Sequence, residues 1–199
     1  DVQMGPIIDW LRDHLPEDAI LTNGAGNYAT WVHRYVRYRK FATQGAPASG
    51  SMGYGVPAAV AAKQAFPERT VVAFAGDGCF MMHGQEFATA VQHKLPIIVV
   101  VVNNSMYGTI RMHQERDYPG RVSATELTNP DFAALARACD HRGQARPAGD
   151  HPDADARPDF GHRGEDIAIG RMPHLFWRQR APDCRHEDIN KSARSVSLV

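Results

Sequence analysis

Cysteine is scarce in this chain: Cys79, Cys139 and Cys184 are the only three in 199 residues, and they stand far apart. Their spacing fits neither a zinc-type ligand set nor a disulfide framework, and a reducing, cytoplasmic setting is expected. Excess charge of one sign is also missing, since 22 Lys and Arg face 22 Asp and Glu. That balance gives no footing for nucleic acid or for an anionic membrane surface, so neither is expected as a partner. Long apolar runs are absent too. The longest, Pro96 to Val102, is strand-sized and far short of the roughly 20 residues a membrane helix needs. No signal peptide opens the chain, which starts Asp1-Val2-Gln3 without Met, so a piece of a longer protein is expected. A P-loop is lacking, and Gly24-x-Gly26 has none of the rest of a dinucleotide fingerprint.

What the sequence does contain is alternation. Met4 to His14 places Ile7, Ile8, Trp10 and Leu11 on one side of an amphipathic helix. Ala19 to Thr22 reads as a short strand running into the glycine turn Asn23-Gly24-Ala25-Gly26, and Tyr28 to Arg37 as a helix. Gly53 to Phe66 is Ala-rich and helical, with Pro57 tolerable only in its first turn. Thr70 to Ala75 is a β-branched apolar strand followed by Gly76-Asp77-Gly78. A helix over Gln85 to His93 leads to Pro96–Val102, whose unbroken apolar character marks a strand buried on both faces. Asn103-Asn104 ends that strand, and a further helix over Pro130 to Ala138 has Asn129 or Thr128 near its cap. This order predicts an α/β fold of three layers, α/β/α, around a mostly parallel sheet.

Residues 139–199 differ. Arg, Asp, His and Pro dominate, apolar residues keep no period, strong strands are lacking, and Asp150 to Asp159 reads as loop. The expected division is a domain over 1–138 and an irregular tail over 139–199. A tail translated from the wrong reading frame is one expectation, a divergent surface extension the other. A tail that withholds the domain's last strand leaves a sheet edge open and makes the isolated chain poorly soluble.

The chemistry concentrates between Thr70 and Arg111. Strand, Gly76-Asp77-Gly78, helix, strand and Asn103-Asn104 make one βαβ unit, whose right-handed crossover brings both strand ends to the same edge of the sheet. Open α/β folds bind ligands at that edge. Mg²⁺ takes hard oxygens, commonly one or two carboxylates plus phosphate oxygens. Asp77 offers a carboxylate and Asn104 an amide oxygen, while Gly76 and Gly78 let backbone approach a phosphate closely. A helix starting near His83 would turn its N–H groups toward the same anion.

Gly-Asp-Gly, the 24 residues 79–102, then Asn-Asn resembles the binding motif of thiamine-diphosphate (ThDP) enzymes. The resemblance implies Mg²⁺ ligation by Asp77, Asn104 and the Met106 carbonyl. Gly50-Ser51-Met52-Gly53-Tyr54-Gly55 resembles the family's pyrimidine-binding turn. There the Gly50 carbonyl would accept from the cofactor amino group, and Met52 would be the apolar wedge beneath the bent cofactor. Gly24-Ala25-Gly26-Asn27-Tyr28 resembles the loop after the first strand, with Asn27-Tyr28 where acetolactate-synthase-like members carry Gln-His; both pairs can bond a diphosphate. Asn103-Asn104-Ser105-Met106-Tyr107-Gly108-Thr109-Ile110-Arg111 is similar to the branch of acetolactate synthases, benzoylformate decarboxylases and carboligases. The likeness covers about residues 4 to 138. It implies contacts to the cofactor from Asn27, Tyr28, Gly50, Ser51, Met52, Gly76, Asp77, Gly78, Cys79, Asn104, Met106, Tyr107 and Gly108.

The implied chemistry is decarboxylation of a 2-oxo acid, followed by protonation or by attack on a second carbonyl. The family's activating glutamate lies on a separate pyrimidine-binding domain, of the same or a partner chain, so this chain alone is expected to lack turnover. A shared site implies a homodimer or tetramer. Glu86 falls on the diphosphate side and is not assigned as that base. His83, His93 and His113 have no Ser or Cys nucleophile at a recognisable spacing. A ThDP-binding subunit working with a second polypeptide and a non-catalytic structural remnant are the alternative expectations.

Overall fold

The computed structural model describes residues 3–140 and 195–198. Helix α1 (Met4–His14) precedes β1 (Ile20–Asn23), α2 (Asn27–Tyr35), β2 (Gln44–Gly45), α3 (Gly55–Ala65) and β3 (Val71–Gly76). Then follow α4 (Asp77–His83), α5 (Glu86–Gln92), β4 (Ile98–Asn103), α6 (Gly108–Asp117), α7 (Phe132–Asp140) and β5 (Ser195–Leu198). The sheet order is β2-β1-β3-β4-β5, parallel throughout except for the antiparallel β4–β5 pair. An α/β fold with a mostly parallel sheet is the architecture expected.

Strand alternation sorts the core into two faces. Leu21, Val72, Phe74, Val100 and Val102 pack with Ile8 and Leu11 of α1 and Val32 of α2. Ile20, Val71, Ala73, Val99 and Val101 point the other way, against Val56 and Ala59 of α3, Phe80 of α4, Phe87 of α5 and Phe132 of α7. All six β3 residues are buried, which explains why that strand carries no polar alternation.

Three expectations are corrected. The helix placed near His83 starts at Asp77, because the Asp77 carboxylate accepts from the Gly78 N–H within the first turn and Phe80 is fully buried beneath it. The last long helix starts at Phe132, and its cap is Asp131, whose Oδ1 accepts from the Ala134 N–H at 2.9 Å; neither Asn129 nor Thr128 takes that role. Within the segment read as irregular, Ser195–Leu198 lies along β4 with Val100 opposite Leu198 and Asn103 opposite Ser195. The β4 edge is therefore paired over those four residues, and the premise of a bare edge does not hold there. The loop expected over Asp150 to Asp159 lies outside the described residues.

Candidate functional site

The carboxyl ends of β1, β3 and β4 meet on one edge of the sheet, and a cavity of about 560 Å³ opens there. Its walls come from the loop after β1, the turn before α3, the start of α4 and the loop from β4 into α6. Of the residues read from sequence, Asn27, Tyr28, Gly50, Met52, Gly76, Asp77, Gly78, Cys79, Asn104, Met106, Tyr107 and Gly108 line it. Ser51 does not: it is exposed, with its hydroxyl 3.0 Å from that of Ser49. Trp31, which the sequence joins to the loop after the first strand without a contact role, also lines the cavity, and so does Met4, which sequence reading missed.

Asp77 is the buried polar group at the centre, 3% exposed at the first position of α4. Oδ1 accepts from the Gly78 N–H at 3.0 Å, and Oδ2 accepts from Asn129 Nδ2 at 2.8 Å. Burial pushes its pKa up, while the hydrogen bonds from Asn129 and the Gly78 N–H and the nearness of the Ser105 and Met106 amides pull it down. The proximity of the Ser105 and Met106 backbone brings the Asp77 carboxylate to the loop that carries Asn104. Among the described residues no Lys, Arg or His forms an ion pair with it.

The Asn104 loop is built from two side-chain-to-backbone turns. Asn103 Oδ1 accepts from the Ser105 N–H at 3.0 Å, and Asn104 Oδ1 from the Met106 N–H at 3.2 Å. Between them Ser105 adopts φ 56°, a left-handed conformation unusual for a residue with a side chain. The loop is stitched to residues 125–127 by the Tyr107 N–H donating to the Thr125 carbonyl and the Leu127 N–H to that of Ser105.

The first loop is set by Gly26, at φ 149°, and by a Cys79 thiol that donates to the Ala25 carbonyl at 2.9 Å. The Tyr28 ring lies against Gly26 and Gly76, and its hydroxyl points to Gly24, 3.0 Å from where a Cβ would stand. Burial, then the neighbouring Cys79, pushes the Tyr28 pKa well above its ordinary value, so the phenol stays neutral. The Asn27 N–H donates to Thr109 Oγ1 at 3.2 Å, tying α2 to α6. Met52 is half-buried, its Cε 3.4 Å from a Cβ position on Gly78.

Two hard side-chain oxygen groups stand at this edge, the Asp77 carboxylate and the Asn104 amide oxygen, and Met106 lines the same cavity. Among the described residues no group of three or more His, Cys, Asp or Glu gathers to hold a metal alone. One carboxylate with neutral oxygens suits a hard cation that draws its remaining ligands from a phosphate group. A buried carboxylate with no counter-charge among the described residues, and glycines beside it, match that demand, so the residues present fit a Mg²⁺–diphosphate unit. No helix among the described residues is long and apolar enough to cross a membrane.

Residues 24–158 match the family described as "Thiamine pyrophosphate enzyme, C-terminal TPP binding domain", so the match runs beyond residue 138. The acetolactate synthase large subunit of Parasynechococcus marenigrum is 41% identical over 130 residues, covering 64% of this chain and 21% of the relative. The acetolactate synthase isozyme 2 large subunit of Escherichia coli is 37% identical over 142 residues, covering 69% and 26%. The solved thiamine diphosphate-dependent 4-hydroxybenzoylformate decarboxylase of Rhodococcus jostii superposes with a TM-score of 0.65 at 28% identity, over 69% of this chain and 26% of that one. The chain spans about a quarter of the length of these relatives.

Proposed function

We propose a function that proceeds from family membership: the chain belongs to the thiamine pyrophosphate enzymes, as their C-terminal TPP-binding domain. Thiamine diphosphate with Mg²⁺ is the cofactor such a domain implies. In our reading the chain grips the diphosphate end of that cofactor for a 2-oxo acid decarboxylase or carboligase of the acetolactate synthase type. A pyrimidine-binding domain, from the same or a partner chain, is needed for turnover, and the working unit is a cytoplasmic homodimer or tetramer. We place the body of the domain in residues 1–138 and the tail over 139–199, whose Ser195–Leu198 lies beside β4.

The observation that carries the reading is the meeting of Asp77 with the Asn104 loop at neighbouring strand ends. Asp77, Asn104 and the Met106 carbonyl would hold Mg²⁺, while the backbone at Gly78 and Cys79 and the Asn27 side chain would bond the diphosphate. Gly50, Met52, Tyr107 and Gly108 shape the cavity toward the pyrimidine side. Tyr28 acts by bracing the glycine loops, since its hydroxyl is turned inward. The chemistry supplied by bound thiamine diphosphate is storage of the electron pair left when a 2-oxo acid loses CO₂.

Trp31 lines the cavity, so its fluorescence reports occupancy. Titrating the chain with thiamine diphosphate should quench that emission in a Mg²⁺-dependent way. Asp77→Ala should abolish the quench. A quench of equal size and midpoint in Asp77→Ala, or none in the wild type, would defeat the reading.

A further inference from the structure

Asn129 belongs to no motif that the cofactor reading uses, yet its amide joins the two strand tips on which that reading depends. Nδ2 donates to Asp77 Oδ2 at 2.8 Å and to Asn103 Oδ1 at 2.9 Å. The side-chain orientation is fixed by its partners, because both neighbours are acceptors. Asn103 Oδ1 already receives the Ser105 N–H and Asp77 is a carboxylate, so only the NH₂ end of Asn129 fits between them.

The placement is built locally. Pro130 disfavours the helical region for Asn129. Asp131 caps α7, and Phe132, 2% exposed, anchors the helix start edge-on against Phe80 with ring centres 5.2 Å apart. Phe80 belongs to α4, the helix that Asp77 begins. Upstream, residues 125–127 run antiparallel to 105–107. Asn129 is thereby clamped from both sides, once to the element that carries Asp77 and once to the loop that carries Asn104.

We propose that Asn129 is a positioning residue: its two-way amide tie sets the separation and direction of the Asp77 carboxylate relative to the Asn104 loop, and so prepares both for the cation. It leaves Oδ1 of Asp77 and the Asn104 side chain outside the tie. The proposal rests on the metal role assigned to Asp77 and Asn104 above, and deepens it by adding a residue that touches neither cation nor cofactor.

The test uses the full chain as wild type and as Asn129→Ser, Asn129→Ala and Asn129→Asp. Without ligand, hydrogen–deuterium exchange at the Ser105 and Met106 amides should quicken in the order wild type, Ser, Ala, Asp. Ser keeps one short donor and Ala none, whereas Asp keeps the shape but sets an acceptor and a charge against Asp77. A residue that merely fills the loop gives the reverse, with isosteric Asp nearest to wild type, and that order overturns the proposal, as does unchanged exchange in Asn129→Ala. Melting temperatures confirm that each variant is folded, and Asn129→Ser carries the comparison if Asn129→Ala is not. In a second arm, Mg²⁺ affinity at saturating thiamine diphosphate should fall roughly 10–100-fold in Asn129→Ala, the usual range for a group orienting a metal ligand. Unchanged Mg²⁺ affinity with loosened loops overturns the metal-positioning role. If the wild type takes up no Mg²⁺ with thiamine diphosphate, the cofactor reading fails, and the exchange order alone decides whether Asn129 ties the tips.

Discussion

The ring of Tyr107 occupies the space where a side chain on Gly78 would stand: a Cβ there would lie 2.6 Å from Cε1 and 2.8 Å from Cδ1 of the tyrosine. The loop after β4 thus interlocks with the first turn of α4. Gly78→Ala forces Tyr107 away, and Tyr107 and its neighbours form the cavity wall. Overpacking of this kind destabilises by roughly 1–3 kcal/mol, and the Mg²⁺-dependent cofactor quench should weaken far more than the melting temperature falls. Gly120→Ala is the control. It lies outside the cavity lining and nothing lies within 4 Å of its Cβ position, so only the strain of φ +75° applies, about 1–2 kcal/mol for a non-glycine residue.

Gly55 is a different case, because its surroundings cannot yield. A Cβ there would meet Gly24 N at 2.9 Å, and the Asn23 carbonyl carbon and Phe74 O at 3.0 Å, all of them backbone. Thr22 Oγ1 adds a 2.8 Å hydrogen bond to the Gly55 carbonyl. Gly55→Ala should therefore cost at least about 3 kcal/mol, the upper end for overpacking, with fold and cofactor binding lost together. Denaturant midpoints for Gly55→Ala and Gly78→Ala, measured side by side, check the contrast.

Asp77 predicts a pH dependence whose sign is fixed by burial. Its folded-state pKa is raised, so the protonated acid is favoured by folding. The ligand-free fold holds that contribution fully below the unfolded value of about 3.9 and loses it as pH rises through the folded value. Asp77→Asn does not titrate at this position. The melting temperature of Asp77→Asn minus that of wild type should grow as pH climbs from about 4 and then level off. A difference that shrinks over the same interval contradicts the assignment.

Ser105→Gly should stabilise the ligand-free chain. The φ of 56° disfavours any side chain, and the Ser105 hydroxyl returns only a long 3.4 Å contact to Asn103 Oδ1. Relief of about 1 kcal/mol, less the extra freedom of glycine in the unfolded chain, predicts a gain of a few tenths, read as a small rise in melting temperature. Ser105→Val should fall on the other side of wild type.

The sheet and the Asp77–Asn104 meeting were legible because strands buried on both faces write continuous apolar runs, and a parallel crossover leaves their ends little choice of edge. Helix α1 is bounded as its amphipathic pattern predicts. Strand β2 was not legible, since Gln44 and Gly45 pair through backbone alone. Helix α4 was hidden because Gly76-Asp77-Gly78 has the composition of a turn, while burial of Phe80 decides for helix. Asn129 was hidden for another reason. Thr128, Asn129 and Asp131 are all good caps, and only the fold reveals that Asp131 caps α7 while Asn129 reaches Asp77, 52 residues away in sequence.

Helix α6 fully buries none of its ten residues and is held by the Arg111–Glu115 pair, by the Asn27 tie to Thr109 and by two bonds between Gln114 and Ser123. The start of α3, by contrast, is wedged against backbone of β1 and β3. The pocket therefore has one jaw set in the core and one held mainly by side-chain bonds. A cofactor entering it must organise the second jaw, spending part of its adhesion on that ordering. Mutations on the outer face of α6, remote from every ligand atom, should then alter how long the cofactor stays rather than where it lies.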